Sequence, residues 1–441
     1  MNILRNETGI AIIIASTLWG MAFYDGLFIV YVVTAFYFFL AIFRKESKLS
    51  LNIGIVLVFI CVCFYMWGIF FSKGKFYNSN FVDILNIICF LMFLFVVNQL
   101  NQKGYRIAYN LTKKIVIPLM SVLSVLALYK YYMLTKGVFL PQYQFSNGQY
   151  IYGTSLTTDN NMFALAMTIA LIMGVTLLRE LKTISMIVFY FFATVPIAFT
   201  LIFSGSRRAY LIISIIIVIE LIKWVINSLK GLKIVKSAII LYFIVFAASL
   251  FGAYIIFFNV KIDLVSILND PQINMTIQRL MTVQPSNFLE SFLPRSDRWY
   301  YSIELFYVSS LNQGIFGQGF NYLYLFVDRF PSYVAEDYPH NPLLSALLYS
   351  GMLGSVAVFS LITVSFYKVI KYKDFFGKDF LLIYFITFIF IFISGNSIFS
   401  FKLFIFLMSF SLLGNVIFKE VNTSAGTEKE EKKEINEFLT I

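Results

Sequence analysis

The sequence is poor in the side chains that most enzymes use for proton transfer and metal binding. It contains one histidine, His340, and three cysteines in 441 residues, and only 13% of its residues are charged. The cysteines, Cys61, Cys63 and Cys89, lie in apolar segments, where a thiol behaves as a small hydrophobic group. They therefore predict neither a disulfide framework nor a metal site. Charge this sparse cannot cover the surface of a soluble fold of this length.

Hydrophobic residues make up 59% of the chain and are gathered into continuous stretches. Each stretch is long enough to cross about 30 Å of hydrocarbon. Continuous apolar runs also exclude a β-barrel, whose strands alternate in polarity. We therefore predict an all-α, polytopic membrane protein with about twelve transmembrane helices. The predicted spans are residues 9–24, 26–43, 51–71, 81–100, 115–134, 161–178, 185–203, 209–227, 236–258, 342–366, 379–395 and 400–418.

The spans divide the chain into four regions. Residues 1–258 carry helices 1–9, 259–341 form a large extracytoplasmic loop, 342–418 carry helices 10–12, and 419–441 form a cytoplasmic tail. Loops as long as 259–341 are normally functional or disordered. Here the aromatic and aliphatic residues of 299–311 predict a short packed helix, and the glycines of 314–319 predict a turn after it. We expect a structured outer loop.

The distribution of basic residues predicts the orientation. With the N-terminus inside, 22 of the 34 Lys and Arg residues fall on the inner side. Because Lys and Arg favour cytoplasmic loops, both termini are expected in the cytoplasm of a multi-pass protein of the cytoplasmic (inner) membrane. The net charge of +11 then reflects topology, and no nucleic-acid partner is expected.

Arginines on the outer side run against this bias and need another explanation. Arg207 and Arg208 occupy a tight turn between spans 7 and 8, and Arg295 and Arg298 lie in the large loop. A guanidinium binds phosphate with a planar fork of donors, which a lysine lacks. We expect the diphosphate head group of a lipid as their ligand. Alternatively, they reach lipid phosphates or pair with aspartates of the same loop.

His340 is the first candidate for proton chemistry. It lies in the sequence Tyr338-Pro339-His340-Asn341-Pro342, directly before an apolar span. Imidazole is the one side chain whose unperturbed pKa permits proton exchange near neutral pH. The alternative is a histidine at a helix start that only hydrogen-bonds nearby backbone. Should His340 be structural, Glu304 and Asp337 are the next candidates for a base.

The sequence lacks the motifs of several known catalytic mechanisms. The outer face has no Asp-x-Asp pair for a metal-bound nucleotide sugar, and the chain has no glycine-rich phosphate loop followed by Lys-Ser/Thr. We therefore expect no metal site, no cofactor and a metal-independent reaction. Outside the cell there is no pool of ATP, so a bond-forming enzyme needs a substrate that arrives activated. A glycan on polyprenyl diphosphate meets that requirement.

Residues of about 195–360 resemble the O-antigen ligase and polymerase superfamily. The motifs share their order, spacing and predicted side of the membrane with that family. They are Ser206-Arg207-Arg208-Ala209-Tyr210 at the start of a span, Arg298-Trp299 in the loop, Gly317-Gln318-Gly319, His340-Asn341, Leu343-Leu344, Gly351 and Gly354.

The resemblance implies roles for individual residues. Arg207 and Arg298 would hold the diphosphate, and His340 would activate the acceptor hydroxyl. Arg295 is a rival of Arg298 for the loop position, because the tryptophan after Arg298 comes early. The expected catalytic residues are His340, Arg207 and Arg298, and the expected substrate-binding residues are Arg208, Arg295 and Asn341.

The implied function is that of a polysaccharide polymerase in capsule or exopolysaccharide biosynthesis of the cell envelope. Such a glycosyltransferase moves a growing glycan from polyprenyl diphosphate to a carrier-linked repeat unit at the outer face of the membrane. A ligase would use the same donor with a different acceptor. The expected partners are the polyprenyl-diphosphate-linked oligosaccharide, the lipid bilayer, and a chain-length regulator or a flippase.

Two alternative hypotheses compete with the polymerase: a different glycosyltransferase architecture and a transporter. A different membrane glycosyltransferase architecture places a catalytic carboxylate in its first outer loop, where this chain has Asp25; an Asp-Gly turn alone would also explain that residue. A flippase or transporter of lipid-linked oligosaccharide needs ionisable groups within its spans at mid-membrane depth. We expect the spans to be almost free of them, with Glu220 and Lys223 near the inner end of one helix.

Overall fold

A computed structural model gives the structure of the chain. It describes residues 5–23, 27–44, 53–71, 78–100, 102–136, 153–157, 159–206, 209–210, 285–330, 338–394, 397–400 and 402–412. These residues are mostly helical and none of them forms a strand, which confirms the all-α class. Several predicted features lie outside the described residues, namely Arg207, Arg208, Asp25, Glu220, Lys223, Asp337, the span 236–258, most of the span 209–227 and the tail 419–441.

The described helices are numbered here in chain order. The first seven are α1 (Asn6–Ala22), α2 (Leu27–Phe43), α3 (Ile53–Phe71), α4 (Asn78–Asn98), α5 (Gln102–Thr135), α6 (Asn160–Glu180) and α7 (Ile184–Phe203). The others are α8 (Pro285–Tyr307), α9 (Leu311–Phe316), α10 (Tyr322–Arg329), α11 (Pro342–Lys371), α12 (Lys373–Phe376), α13 (Lys378–Ser394) and α14 (Lys402–Leu412). Single 3-10 turns occur at Gly319–Asn321 and Ile398–Ser400.

Five of the described helical segments are long and apolar enough to cross a membrane. They are Phe81–Asn98, Lys103–Met133, Asn160–Glu180, Ile184–Phe203 and Pro342–Lys371. Each coincides with a predicted span, which supports the membrane assignment. Shorter apolar helices occupy Phe28–Phe43, Gly54–Trp67, Asp379–Phe392 and Lys402–Leu412, at four further predicted spans. The number of twelve spans and their orientation stay predictions.

The helix predicted over 299–311 differs in its bounds. α8 begins at Pro285 and ends at Tyr307, and α9 begins after Ser310. The side-chain oxygen of Ser310 accepts a hydrogen bond from the Gln313 backbone N–H, while the Gln313 side chain accepts one from the Ser310 N–H. This reciprocal capping starts a new helix. Leu311 therefore belongs to α9, and the chain turns between the two helices.

The chain divides into two compact units, of which the first contains residues 1–10, 34–108 and 294–441. Within it, α11 packs along α3, and α9 packs on α11. Aromatic rings fill much of its interior. The rings of Phe93 and Phe406 lie 4.2 Å apart, and those of Tyr105 and Phe375 lie 5.0 Å apart, measured between centroids.

The second unit contains residues 11–33 and 109–293. Its α6 and α7 pack closely, because Gly174 has no side chain where a Cβ would lie 2.7 Å from Oγ1 of Thr194. An ion pair joins α5 to α6 at 2.6 Å, between the carboxylate of Glu180 and the ammonium of Lys113, which is buried. Small residues and paired charges allow these apolar helices to approach one another.

Candidate active site

The start of α11 is set by the residue that precedes it. The side-chain oxygen of Asn341 accepts hydrogen bonds from the backbone N–H groups of Leu343 at 3.0 Å and Leu344 at 3.3 Å. Pro342 takes the first helical position, where a missing N–H costs nothing. Asn341, predicted to bind substrate, therefore has a structural role as the N-cap of α11. This role leaves its predicted contact with substrate untested.

His340 has an unusual backbone conformation. Its φ is +55°, and it is the one non-glycine residue with positive φ in the described part of the chain. The left-handed region costs an L-residue about 1–2 kcal/mol, although histidine tolerates it better than most. The imidazole is half-buried and lies against the ring of Tyr338, with 4.5 Å between the ring centroids. The backbone thus holds this side chain in a fixed place at the entry of α11.

The two loop arginines lie on one face of α8, three residues apart. Burial lowers the pKa of the Arg295 guanidinium from its usual value, the charge of Arg298 lowers it further, and Tyr338 acts in the opposite direction. Arg295 therefore interacts electrostatically with both Arg298 and Tyr338. Tyr338 also contacts the His340 ring, and all four residues belong to the first unit.

Arg298 is held by an aromatic ring. Its guanidinium carbon lies 4.7 Å from the ring centroid of Phe330, at the end of α10. Phe330 in turn contacts Tyr301 of α8, with 5.7 Å between centroids. The Tyr301 hydroxyl donates a hydrogen bond to the carbonyl of Leu325 at 3.2 Å. α8 and α10 are packed together through these contacts, which orient the arginine side chain on a rigid support.

The glycine-rich motif after α9 docks into a kink of α11. Gly351 interrupts that helix with φ +68° and ψ −167°, and Gly317 lies against it with φ +87°. A Cβ at Gly317 would collide with the carbonyl oxygen of Tyr349, so only glycine fits here. The N–H of Gln318 donates to the carbonyl of Leu348 at 2.8 Å. This segment is thereby tied to α11, the helix that follows His340.

The turn that carries Arg207 lies in the second unit. Ser206 donates a hydrogen bond to the side-chain oxygen of Asn161 at 3.0 Å and accepts one from the N–H of Ala209 at 3.4 Å. The Tyr210 hydroxyl accepts from the N–H of Gly205 and donates to the carbonyl of Ile202 at 2.7 Å. Ser206 and Tyr210, both part of the family-like motif, therefore stabilise the described residues at the end of α7.

A second segment supports the same turn. The N–H of Thr154 donates to the carbonyl of Phe203 at 2.8 Å, and Gly153 packs so closely there that a Cβ would meet the backbone. The buried ammonium of Lys130 donates to the carbonyl of Ser155 at 2.7 Å. Residues 153–157 thus form part of the framework at the end of α7.

Ionisable side chains are buried within three of the predicted spans. Asp83, Lys130 and Lys402 lie within predicted spans and are only 4–6% exposed. Asp83 could have been noticed, because it is the only acidic residue between Glu46 and Asp159. All three lie within about two turns of a helix end, which differs from the mid-membrane groups that an ion pathway requires.

The described residues contain no group of three or more His, Cys, Asp or Glu side chains that could hold a metal ion. The candidate residues Arg295, Arg298, Tyr338 and Asn341 carry guanidinium, phenol and amide groups, which bind anions and orient hydroxyl groups. Such a site suits an anionic leaving group and a hydroxyl nucleophile.

No family model, curated protein or solved structure matches the chain. Function is therefore inferred from the residues and their geometry.

Proposed function

We propose that this chain is a metal-independent glycosyltransferase, a polysaccharide polymerase of the cytoplasmic membrane. It transfers a growing glycan from polyprenyl diphosphate to a hydroxyl of a carrier-linked repeat unit at the outer face. The observation that carries the proposal is the single histidine, held in left-handed backbone at the entry of an apolar helix. Two arginines, Arg295 and Arg298, lie three residues apart on α8 in the same compact unit.

The reaction needs one proton acceptor and one group that stabilises negative charge. His340 accepts the proton of the acceptor hydroxyl, whose oxygen attacks the anomeric carbon of the donor glycan. The bond from that carbon to the diphosphate oxygen breaks, and the diphosphate leaves with the electron pair. Arginine side chains offset the charge that develops on it. The proton on the imidazole is then released to water or to the departing diphosphate.

The two loop arginines take different parts in this scheme. The guanidinium carbon of Arg298 lies 4.7 Å from the ring centroid of Phe330, a cation–π contact that restrains this side chain. Arg295 interacts with Tyr338, the residue in ring contact with His340. We assign Arg295 to the diphosphate beside the reacting carbon and Arg298 to its second phosphate. By the family resemblance, Arg207 also holds the diphosphate and Arg208 binds substrate.

Elongation by purified protein tests the proposal. The protein is reconstituted in lipid nanodiscs with a synthetic polyprenyl-diphosphate repeat unit, and polymer is followed as a ladder on gels. We expect a ladder from the wild type and a rate about a hundred- to ten-thousandfold lower for His340→Gln, which keeps hydrogen bonding but accepts no proton. Donor retention, measured by co-purification, should persist. The wild-type rate should also fall in acid, where a protonated imidazole cannot act as a base.

The same assay separates the competing activities. Elongation at full rate in the Gln variant would show that the base lies elsewhere. Transfer to a different lipid acceptor, with no ladder, would identify a ligase. Movement of the intact lipid-linked oligosaccharide across a liposome membrane, with no new glycosidic bond, would identify a transporter and overturn the proposal.

A further inference from the structure

One side of α8 is apolar and exposed, and the apolar surface continues to the start of α9. Five large side chains form this surface, here named the loop stripe, and are 44–82% exposed: Tyr300, Ile303, Tyr307, Val308 and Leu311. Their helical spacing places those of α8 on one side of the helix. Ser302 and Leu305, on the other side, are buried. A contiguous exposed apolar surface marks an interaction site.

The exposed apolar surface of α11 begins only after its kink. Residues 342–351 are buried or half-buried. The exposed apolar side chains that follow, here named the α11 stripe, are Met352, Leu353, Val356, Phe359, Tyr367 and Ile370. From Met352 to Ile370 a helix rises about 27 Å, close to the thickness of a hydrocarbon core of about 30 Å. Lys371 then lies 5.4 Å from the ring centroid of Tyr372, and both are residue types that anchor helices at an interface. The α11 stripe therefore has the length of a lipid-facing surface, with Met352 at one boundary.

α9 docks at the level of that boundary. Gly317, directly after α9, packs so closely on the kink that a Cβ there would lie 2.6 Å from the nitrogen of Gly351. Phe316, the last residue of α9, contacts Trp67 of α3, with 6.1 Å between ring centroids. Trp67 lies at one end of a row of exposed side chains on α3, namely Val56, Phe59, Ile60, Cys63 and Trp67. Tryptophan is enriched where membrane meets water. α9 thus lies where the exposed surfaces of α3 and α11 both end.

This position identifies lipid as the occupant of the loop stripe. The stripe runs into α9, which joins the two exposed membrane-helix surfaces. Tyr300 and Tyr307 have rings that are apolar at one end and polar at the other, which suits an interface. Asp297 and Glu304, both exposed, lie along one edge of the stripe, so this side of α8 suits the boundary of the bilayer and not its centre.

We propose that α8 and α9 form an interfacial element, whose loop stripe inserts into the boundary between lipid head groups and acyl chains. Helices of this kind bury their apolar side about 5–10 Å into that boundary. The lipid surface is a ligand of this element in its own right. The proposal goes beyond glycosyl transfer and holds whether or not the protein elongates a polymer.

Spin-label depth measurements test the proposal. The full chain, with its three cysteines replaced by alanine, is reconstituted in phosphatidylcholine vesicles and carries one nitroxide, at Ile303→Cys or Tyr307→Cys. Oxygen concentrates in the bilayer, whereas a nickel chelate supplied on both sides stays in water, so the ratio of their relaxation effects reports depth. We expect this ratio to shift from the value at Lys373→Cys, an exposed charged position, toward the value at Val356→Cys in the α11 stripe.

The unmodified protein supplies a second measurement. A phosphatidylcholine with a diazirine near the start of an acyl chain is photolysed in the same kind of vesicle. Trypsin cleaves after Arg298 and Arg329, which releases residues 299–329 with the loop stripe intact. We expect lipid adducts within residues 300–311, located by tandem mass spectrometry.

The two measurements distinguish lipid from other occupants. Nickel access equal to that at Lys373→Cys would place the loop stripe in water, open to a soluble partner. Exclusion of both oxygen and nickel would show that protein covers it, either another part of the chain or a second copy. Either result, or absence of adducts within residues 300–311, would overturn the proposal. Since neither measurement requires turnover, a protein that fails to elongate leaves this test unaffected.

Discussion

Two stretches that precede helices, residues 338–341 of the first unit and residues 205 and 206 of the second, differ in the residue that takes a positive φ. Each contains a residue with positive φ, and each has a side-chain oxygen that accepts from the first turn of the following helix. In the second unit, glycine takes the positive φ, with Gly205 at +65°. In the first unit, His340 takes it at +55°.

The comparison of Gly205 with His340 indicates at which positive-φ position a side chain is needed. Glycine adopts positive φ without steric cost, so a glycine at position 340 would build the same turn with less strain. Strained non-glycine residues cluster at functional sites, where the surroundings hold them in place. At Gly205 the turn is stabilised by the Tyr210 hydroxyl, and no side chain is required. At His340 the strain accompanies the only imidazole in the protein.

The largest expected effect comes from replacing His340 by glycine, so that both stretches carry glycine at the residue with positive φ. His340→Gly should lower the elongation rate about a hundred- to ten-thousandfold, because the base is removed. Its melting temperature in detergent should change little, since relief of about 1–2 kcal/mol of strain offsets the greater freedom of glycine in the unfolded chain. A fully active His340→Gly protein would assign the histidine a purely structural role.

Arg207, which follows Gly205 in the second turn, is expected to have the next largest effect. Arg207→Ala should lower the elongation rate about a hundred- to thousandfold, as for loss of one preorganised charge-stabilising donor. Arg207→Lys should also be strongly impaired, because the lysine keeps the charge and loses the fork. Arg208→Lys is the matched control and should elongate nearly normally. Normal turnover by a folded Arg207→Ala protein would remove this arginine from the mechanism.

Replacing Gly205 by a residue with a side chain should lower the stability of the fold. This effect should be smaller than the losses of elongation rate expected at His340 and Arg207. Gly205→Ala places a Cβ at positive φ and should cost about 1–2 kcal/mol. Thermal unfolding followed by circular dichroism should show a lower midpoint than the wild type. Ser206→Ala serves for comparison, because it removes a cap without straining the backbone. An unchanged midpoint in Gly205→Ala would mean that this turn adopts another conformation.

The smallest effect is expected at the cap of α11. Asn341→Ala should cost about 1 kcal/mol, because two N–H groups lose their acceptor, while Asn341→Asp keeps the acceptor and should melt near the wild type. The elongation rate of Asn341→Asp tests whether Asn341 also binds the diphosphate. A negative charge there would repel that ligand, so a stable but slow Asp variant would add substrate binding to its capping role. Wild-type elongation by Asn341→Asp would restrict it to the cap.

Local patterns in the sequence determined the class of the protein and several of its helix bounds. Continuous apolar runs predict helices wherever they are long enough, and the structure has helices at ten of the predicted spans within its described residues. The start of α11 was equally readable, because an asparagine followed by proline before an apolar run is a local capping signal. These features depend on neighbours within a few residues, so no knowledge of the fold was needed.

Tertiary structure decided what surrounds the candidate base. Tyr349 donates to a carbonyl 284 residues away in sequence, at Tyr65, and Gly317 fits a kink at Gly351 that only their packing explains. The hydrophobic pattern of the sequence does not show which helices become neighbours, so the burial of Asp83 and its hydrogen bond from Tyr65 were not predicted. The positive φ of His340 is likewise imposed by its surroundings, because its own preference is for other backbone conformations. Residue types can be read along the chain, whereas contacts between distant helices arise only when their surfaces pack.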